Sequence, residues 1–295
     1  MSDQPTEAAR RVARAEDEYA YLGCEVRRTE VCTVVTTEIC PDMWDSNHVR
    51  EINLPVGADC TEFVLEMEKQ FRRLGREHCK FELDFRTSLQ ELAVVLRDRD
   101  YTPLPVVLQL FAGDEARPAK GRSARRAGEE VRPVEVDSDG RAKEDWRQIK
   151  RDEYGGAQVR GRFVERAIAL CEHKMSVARI RHGQGWDGGL LVHVAYIGAT
   201  PAGCVELFWH GGVAKIEGLY VKEKMRGRGI GSHLTLEMVN LARQKGCDIV
   251  YLAANAFDSP RYMYLNLGFK DLTERAGWLT TWGSLKQVED SVRWD

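Results

Sequence analysis

Two stretches of this chain carry the same alternation of apolar spacings. In the first, TEFVLEMEKQFRRL (61–74) has the three- and four-residue spacing of a helix face, CKFELDF (79–85) alternates as a strand, SLQELAVVLRDR (88–99) is again helical and YTPLPVVLQLF (101–111) is strand-like. In the second, VRPVEV (131–136) alternates, and 141–154 and 158–176 carry helical spacing through Trp146, Ile149, Phe163, Ala167 and Leu170. Three strands follow, LLVHVAYI, CVELFWH and VAKIEGLYV, joined by the turns GATPAG and GG. A helix then runs to about Lys245. CDIVYLAAN suits a buried strand, SPRYMYLNL a short helix with Ser259 as N-cap and Pro260 in its first turn, and GFKDL opens another strand.

The two stretches also agree in detail. Leu65-Glu66-Met67 precedes Gly75 at the distance at which Leu236-Glu237-Met238 precedes Gly246, which points to an internal repeat. Between them, AGDEARPAKGRSARRAGEEVRP (112–133) is nearly free of large apolar residues and reads as a linker. The expected organisation is an N-terminal domain over 1–111, a linker over 112–130 and a second domain over 131–295.

Composition narrows the function. The net charge of −3 gives no general attraction to nucleic acid or anionic membrane, and the basic linker has no interleaved aromatic residue for stacking on bases. A charged N-terminus and the absence of any run of about 18 apolar residues leave neither a signal peptide nor a membrane span, so a cytoplasmic protein is expected. The eight cysteines form no Cys-x-x-Cys pair and no zinc spacing, so free structural thiols and no metal are expected. Cys24, Cys32 and Cys40, evenly spaced, would share a buried strand face.

The strongest chemical signal is RGRGIG, residues 226–231, with three glycines in six positions between a strand and a helix. That order places backbone N–H groups at a helix N-terminus, where the peptide dipoles favour an anion, and glycine lets the anion reach them. A phosphate-binding P-loop would need Lys-Ser/Thr after the last glycine, whereas Ser232-His233 follow Gly231. The dinucleotide fingerprint fails as well, because its third glycine position holds Ser232.

Arg-x-x-Gly-x-Gly does fit, at Arg226, Gly229 and Gly231. With IEGLYV before it, AAN on the next strand and YLNLGF beyond, residues 130–285 resemble the GNAT superfamily of N-acetyltransferases. The resemblance implies an α/β (α+β) fold, a mixed and mostly antiparallel sheet flanked by helices, here preceded by a smaller, degenerate GNAT-like domain. It implies acetyl-coenzyme A as cosubstrate. Its pyrophosphate would lie on the backbone of Arg226, Gly227, Arg228, Gly229, Ile230, Gly231 and Ser232. Its pantetheine arm would pair with Leu219, Tyr220 and Val221 where two strands part, and Asn255 would bond the same arm.

For chemistry, acetyl transfer to an amine needs a neutral amine, a stabilised oxyanion and a proton for the leaving thiolate. The resemblance makes Glu217 the group that takes the amine proton, and strand alternation sets it beside Lys215 and Leu219. Tyr264, four residues before Gly268-Phe269, would return a proton with an ordinary phenol pKa near 10. A backbone N–H near Leu219 or Tyr220 would meet the oxyanion. Glu206 would face either the cleft or solvent. His193, His210 and the tryptophans Trp186, Trp209, Trp278 and Trp282 read individually as packing groups. Gly218 stands where diamine and polyamine acetyltransferases often carry an acid, which argues against a polyamine.

The expected protein is therefore an N-acetyltransferase, acting on a primary amine of a small molecule by direct attack in a ternary complex, as a monomer or homodimer. A peptide or protein amine, or a coenzyme-A-binding module without turnover, are the alternatives. The first half, without a glycine cluster and with Leu96 where Tyr264 would fall, should bind no coenzyme.

Overall fold

A computed structural model describes residues 6–84, 90–113, 129–133, 140–155 and 161–282. Helical spacing becomes α1 (Glu7–Tyr21), α2 (Cys60–Arg73), α3 (Gln90–Asp98), α4 (Arg141–Tyr154), α5 (Gly161–Gly183), α6 (Ile230–Gln244) and α7 (Ser259–Asn266). Strands are β1 (Glu25–Arg28), β2 (Thr33–Thr36), β3 (His48–Arg50), β4 (His78–Leu83) and β5 (Thr102–Phe111) before residue 114. After it come β6 (Glu129–Pro133), β7 (Gly188–Ile197), β8 (Thr200–His210), β9 (Val213–Val221), β10 (Ile249–Asn255) and β11 (Phe269–Thr281). Most of the expected linker, 114–128, lies outside the described residues, as do 134–136 of the VRPVEV strand and 158–160 of the following helix.

Local starts and stops differ from expectation where backbone geometry decides them. The N-cap of α7 is Asp258, with Pro260 in the first turn, one residue earlier than the sequence reading. The turn before β8 shrinks to Gly198-Ala199, because Thr200 already pairs with Ile197. Cys24, Cys32 and Cys40 share no strand: Cys24 precedes β1, Cys32 precedes β2 and Cys40 sits in the connection after β2. Cys32 and Cys40 are buried in separate apolar clusters, so their even spacing has no common structural cause. All eight thiols are free.

The described strands join one sheet in the order β1-β2-β3-β4-β11-β5-β10-β9-β8-β7-β6. In each half a parallel pair, β3 with β4 and β9 with β10, is bridged by the helix between them, α2 or α6. The halves then exchange their last strands. β5 inserts between β10 and β11, and β11 inserts between β5 and β4, all antiparallel. β11 and β5 thus form a central pair about which the halves repeat, with β4 and β10 starting 171 residues apart, the offset between Leu65 and Leu236.

The sheet is covered on both faces, as the apolar runs of its central strands require. On one face α6 and α7 pack with Leu207, Ile216, Val250 and Phe269, and α2 and α3 with Val49, Phe81 and Trp278. On the other, α4 and α5 cover Val192, Val194 and Phe208. α1, although first in the chain, lies against the strands of the second half: Val12 and Ala15 meet Val213, Ile249 and Tyr251. Arg11 clamps Asp248 with its two terminal guanidinium nitrogens, at 2.7 and 2.6 Å.

Candidate functional site

The site begins where a parallel pair comes apart. β9 and β10 are in register from Val213 with Ile249 to Ile216 with Leu252, and there the pairing ends. Beyond that point β9 stays with β8, down to Val221 opposite Gly203, while β10 stays with β5, down to Asn255 opposite Val106. A wedge opens between Glu217–Val221 on one side and Ala253–Asn255 on the other.

Gly218 helps to create the wedge. It has φ +58°, the left-handed region, and marks a bulge at which β9 gains one residue over β8 between the pairs Glu206 with Glu217 and Cys204 with Tyr220. The extra residue resets side-chain parity. Lys215 and Glu217 share a face, as alternation predicts, with Lys215 Nζ 2.7 Å from Glu217 Oε2. Leu219 does not join them: it and Val221 turn to the opposite face and pack against the α6 core, while Tyr220 turns towards the cluster under α4 and α5. A side chain at position 218 would place its Cβ 2.9 Å from Glu206 Oε1. The place where an acid was looked for is thus already taken by the Glu206 carboxylate.

The glycine loop closes the mouth of the wedge. Gly227 and Gly229 both have positive φ, +72° and +87°. Gly229 is the N-cap of α6 and, lacking a side chain, supplies no capping bond, so the first N–H groups of the helix have no side-chain cap among the described residues. A Cβ built at Gly227 or Gly229 meets nothing within 4 Å. Gly231 lies inside the first turn of α6, beside Met263, Val221 and Leu219. Arg226 and Arg228 are exposed; Arg226 Nε donates to the Val221 carbonyl at 3.0 Å, tying the loop to the end of β9. Ile230 points its side chain into the core, and Ser232 is half-buried. Asn255, exposed at the end of β10, accepts from the Phe257 N–H at 2.9 Å.

The same position in the first half is built differently. α2 is capped by Asp59, whose carboxylate accepts from the Thr61 and Glu62 N–H groups at 2.8 and 3.1 Å. Where α6 presents bare N–H groups, α2 has them occupied by a built-in anion.

Glu217 is half-buried and its Oε1 also accepts from the Gly218 N–H at 3.3 Å. Around it stands a set of charges that the sequence did not bring together. Lys215, 3% exposed, bridges Glu217 to Glu16 of α1, with Nζ 2.9 Å from Glu16 Oε1. Burial alone would raise the Glu16 carboxyl from its ordinary 4.5, but Arg275 and Lys215 outweigh it and hold the group at about 2. Burial alone would lower Lys215, but Glu16 and Glu217 raise it. Glu206 is neither solvent-facing nor a bare cleft acid: it is 5% exposed, 3.4 Å from Lys150 Nζ and within 3.5 Å of the Tyr19 hydroxyl.

Tyr264 is 8% exposed and packs edge-on against Phe269 with ring centroids 6.0 Å apart. Burial, and then the charge of Glu217, push its phenol well above the ordinary 10, which corrects the expectation of an unperturbed group. The tyrosine therefore holds its proton throughout the neutral range. His210 stacks on Trp186 and donates from Nδ1 to the Asp187 carbonyl, and Trp209 and Trp278 are core residues, so these groups pack as expected. Among the described residues no cluster of three or more His, Cys, Asp or Glu is placed to hold a metal ion, and no helix is long and apolar enough to cross a membrane.

A glycine loop on an uncapped helix, beside parted parallel strands, is the arrangement of an acetyltransferase fold. The sequence model of the acetyltransferase (GNAT) family matches residues 145–269, the segment that contains the wedge and the loop. Through this segment the chain is similar to that family, and its fold is shared by solved N-acetyltransferase structures, one of them a tandem protein. Among solved structures it is similar to a GCN5-related N-acetyltransferase from Kribbella flavida (TM-score 0.61, 17% identity, 96% of this chain and 99% of that one). It is also similar to a tandem GNAT protein from the clavulanic acid biosynthesis pathway (TM-score 0.58, 16% identity, 95% and 91%). In sequence, 71 residues are 38% identical to the thialysine N-epsilon-acetyltransferase of Sus scrofa, covering 24% of this chain and 42% of that protein. The chain thus spans less than half the length of this curated relative.

Proposed function

We propose that the second half is an acetyl-CoA-dependent N-acetyltransferase acting on a primary amine of a small molecule, by direct transfer while both substrates are bound. The observation that carries this reading is the junction of three features: an uncapped α6 N-terminus behind a glycine loop, strands that part beside it, and Glu217 and Tyr264 within electrostatic reach of each other at that place.

Acetyl-coenzyme A would supply the activated acetyl thioester. Its pyrophosphate suits the backbone of Arg226, Gly227, Arg228, Gly229, Ile230, Gly231 and Ser232, where each charge-assisted hydrogen bond contributes roughly 1.5–3 kcal/mol. The unpaired edge of β9 at Leu219, Tyr220 and Val221 suits the amides of the pantetheine arm, with Asn255 across the wedge. The Leu219 or Tyr220 N–H would face a developing oxyanion. Glu217 takes the proton from the incoming ammonium, directly or through water, and leaves a neutral amine. Tyr264, which keeps its proton at neutral pH, holds it for the departing thiolate.

The 38% identical segment of a thialysine acetyltransferase supports a small amine as acceptor. Gly218 offers no acid of its own, and the neighbouring Glu206 is buried and paired with Lys150, which argues against a polyamine. Each half already completes the other's sheet, which favours a monomer, and eight free thiols suit a reducing compartment such as the cytoplasm.

The test is coenzyme A release against a panel of thialysine, amino acids, diamines, aminoglycosides and peptides. A small amine should give turnover. Binding of acetyl-CoA without turnover on any member would replace the enzyme by a binding module, and turnover confined to peptides would replace the acceptor class.

A further inference from the structure

The first helix of the chain, in the half without a coenzyme loop, reaches the chemistry of the second half through a line of buried charges. Glu16 on α1 is 5% exposed. Its Oε1 meets Lys215 Nζ at 2.9 Å and accepts from the Tyr251 hydroxyl at 2.9 Å, and its Oε2 meets Arg275. Lys215 in turn meets Glu217 Oε2 at 2.7 Å. One ammonium is therefore shared between a carboxylate of the first helix and the carboxylate at the wedge. A buried ion pair is costly to desolvate and apolar residues often replace it without loss of stability. A stabilising role alone gives little reason for this arrangement.

We propose that Glu16 is a positioning residue for Glu217: by drawing on the Lys215 ammonium it sets how tightly the Glu217 carboxylate holds a proton. The proposal rests on Glu217 being the group that accepts the amine proton. With Glu16 charged, Lys215 divides its field between two carboxylates and only part of it falls on Glu217. With Glu16 neutral, the whole field falls on Glu217, which becomes more acidic and a weaker base. The other groups facing this point are Tyr19 of α1, Glu206 of β8, Tyr251 of β10, Arg275 of β11, Lys150 and Glu153 of α4 and Tyr264 of α7. None of these links two carboxylates across α1 and β9 as Lys215 does.

The experiment is a ¹³C NMR titration of the full chain with δ-¹³C-labelled glutamate, the Glu217 signal being assigned as the one lost in E217Q. In E16Q the Glu217 carboxyl should titrate about one pH unit below its wild-type position, within the range for an opposite charge at this distance. In the charge-balanced double variant E16Q/K215Q it should titrate above wild type, because the cation paired with it is gone. Opposite displacements are not what a packing role produces. The same titration point in both variants as in wild type overturns the proposal. If E16Q alone does not fold, the double variant decides it: no upward displacement there is likewise fatal. The acid limb of kcat/KM with thialysine as acceptor should move in the same directions. A wild-type rate in E217Q would remove the reading of Glu217 as proton acceptor, whereas a slow E217Q with an unmoved titration in the Glu16 variants would remove this inference alone.

Discussion

At the scale of single residues, Gly218 decides the most. Sequence alternation places Glu217 beside Lys215 correctly, because both precede the bulge, and fails at Leu219, because one added residue inverts the parity of everything after it. A glycine in a strand pattern signals a bulge, and that signal was available in IEGLYV. The partners of Glu217 were not legible in the same way: Glu16 lies some two hundred residues away, and no local pattern pairs it with Lys215. Two variants test the roles assigned here. Glu217→Gln should lower kcat/KM for a good acceptor about 10²- to 10⁴-fold, the usual contribution of a positioned proton acceptor, with acetyl-CoA affinity unchanged. Tyr264→Phe, which removes only a hydroxyl from a packed ring, should lower kcat with little change in melting temperature, and its pH profile should keep the acid limb of wild type.

At the scale of elements, α2 and α6 are the same helix used in two ways. Both bridge a parallel strand pair, and the Leu-Glu-Met and glycine landmarks made the correspondence readable in the sequence. What separates them is the residue at the N-terminus. Asp59 fills the anion position of α2 with its own carboxylate, while Gly229 leaves that of α6 bare. Asp59→Ala should cost about 0.5–2 kcal/mol of stability, the usual effect of losing a cap, and should create no coenzyme affinity in the first half. Gly229→Asp brings a like charge to the place proposed for a pyrophosphate and a side chain to φ +87°. It should weaken coenzyme A binding at least about 100-fold by isothermal titration calorimetry, at a stability cost of about 1 kcal/mol. The type and order of most elements could be read from periodicity. The end of α7 that Asp258 caps could not, because Asp, Ser and Pro in succession are all acceptable at a helix start.

At the scale of the whole molecule, the exchange of β5 and β11 was invisible in the sequence. Each reads as the last strand of its own half, and the choice of neighbour depends on contacts that periodicity does not encode. Its consequence is mutual dependence: residues 129–295 expressed alone lack both β5 and α1, and should remain unfolded by circular dichroism until coexpressed with 1–113. The buried polar groups at the junction add a pH dependence. Burial, with Arg50 and Lys80 nearby, lowers His48 from 6.5 to about 3, and burial lowers His78 to about 4. A depressed folded-state pKa gives stability that is complete above the unfolded value and is lost as pH falls towards the folded one. Melting temperature should therefore hold above about pH 6.5 and decline below it. A further decline below about 4.5 comes from Glu16, held at about 2. His48→Leu should flatten the first decline and leave the second.

The claim on which the rest depends is that a chain built from two similar halves has one coenzyme site, at the bare N-terminus of α6. Calorimetric titration of the full chain with coenzyme A measures this directly. The structure predicts one molecule bound per chain, with binding abolished by Gly229→Asp and untouched by Asp59→Ala. Two molecules per chain, or one whose binding survives Gly229→Asp, would contradict it.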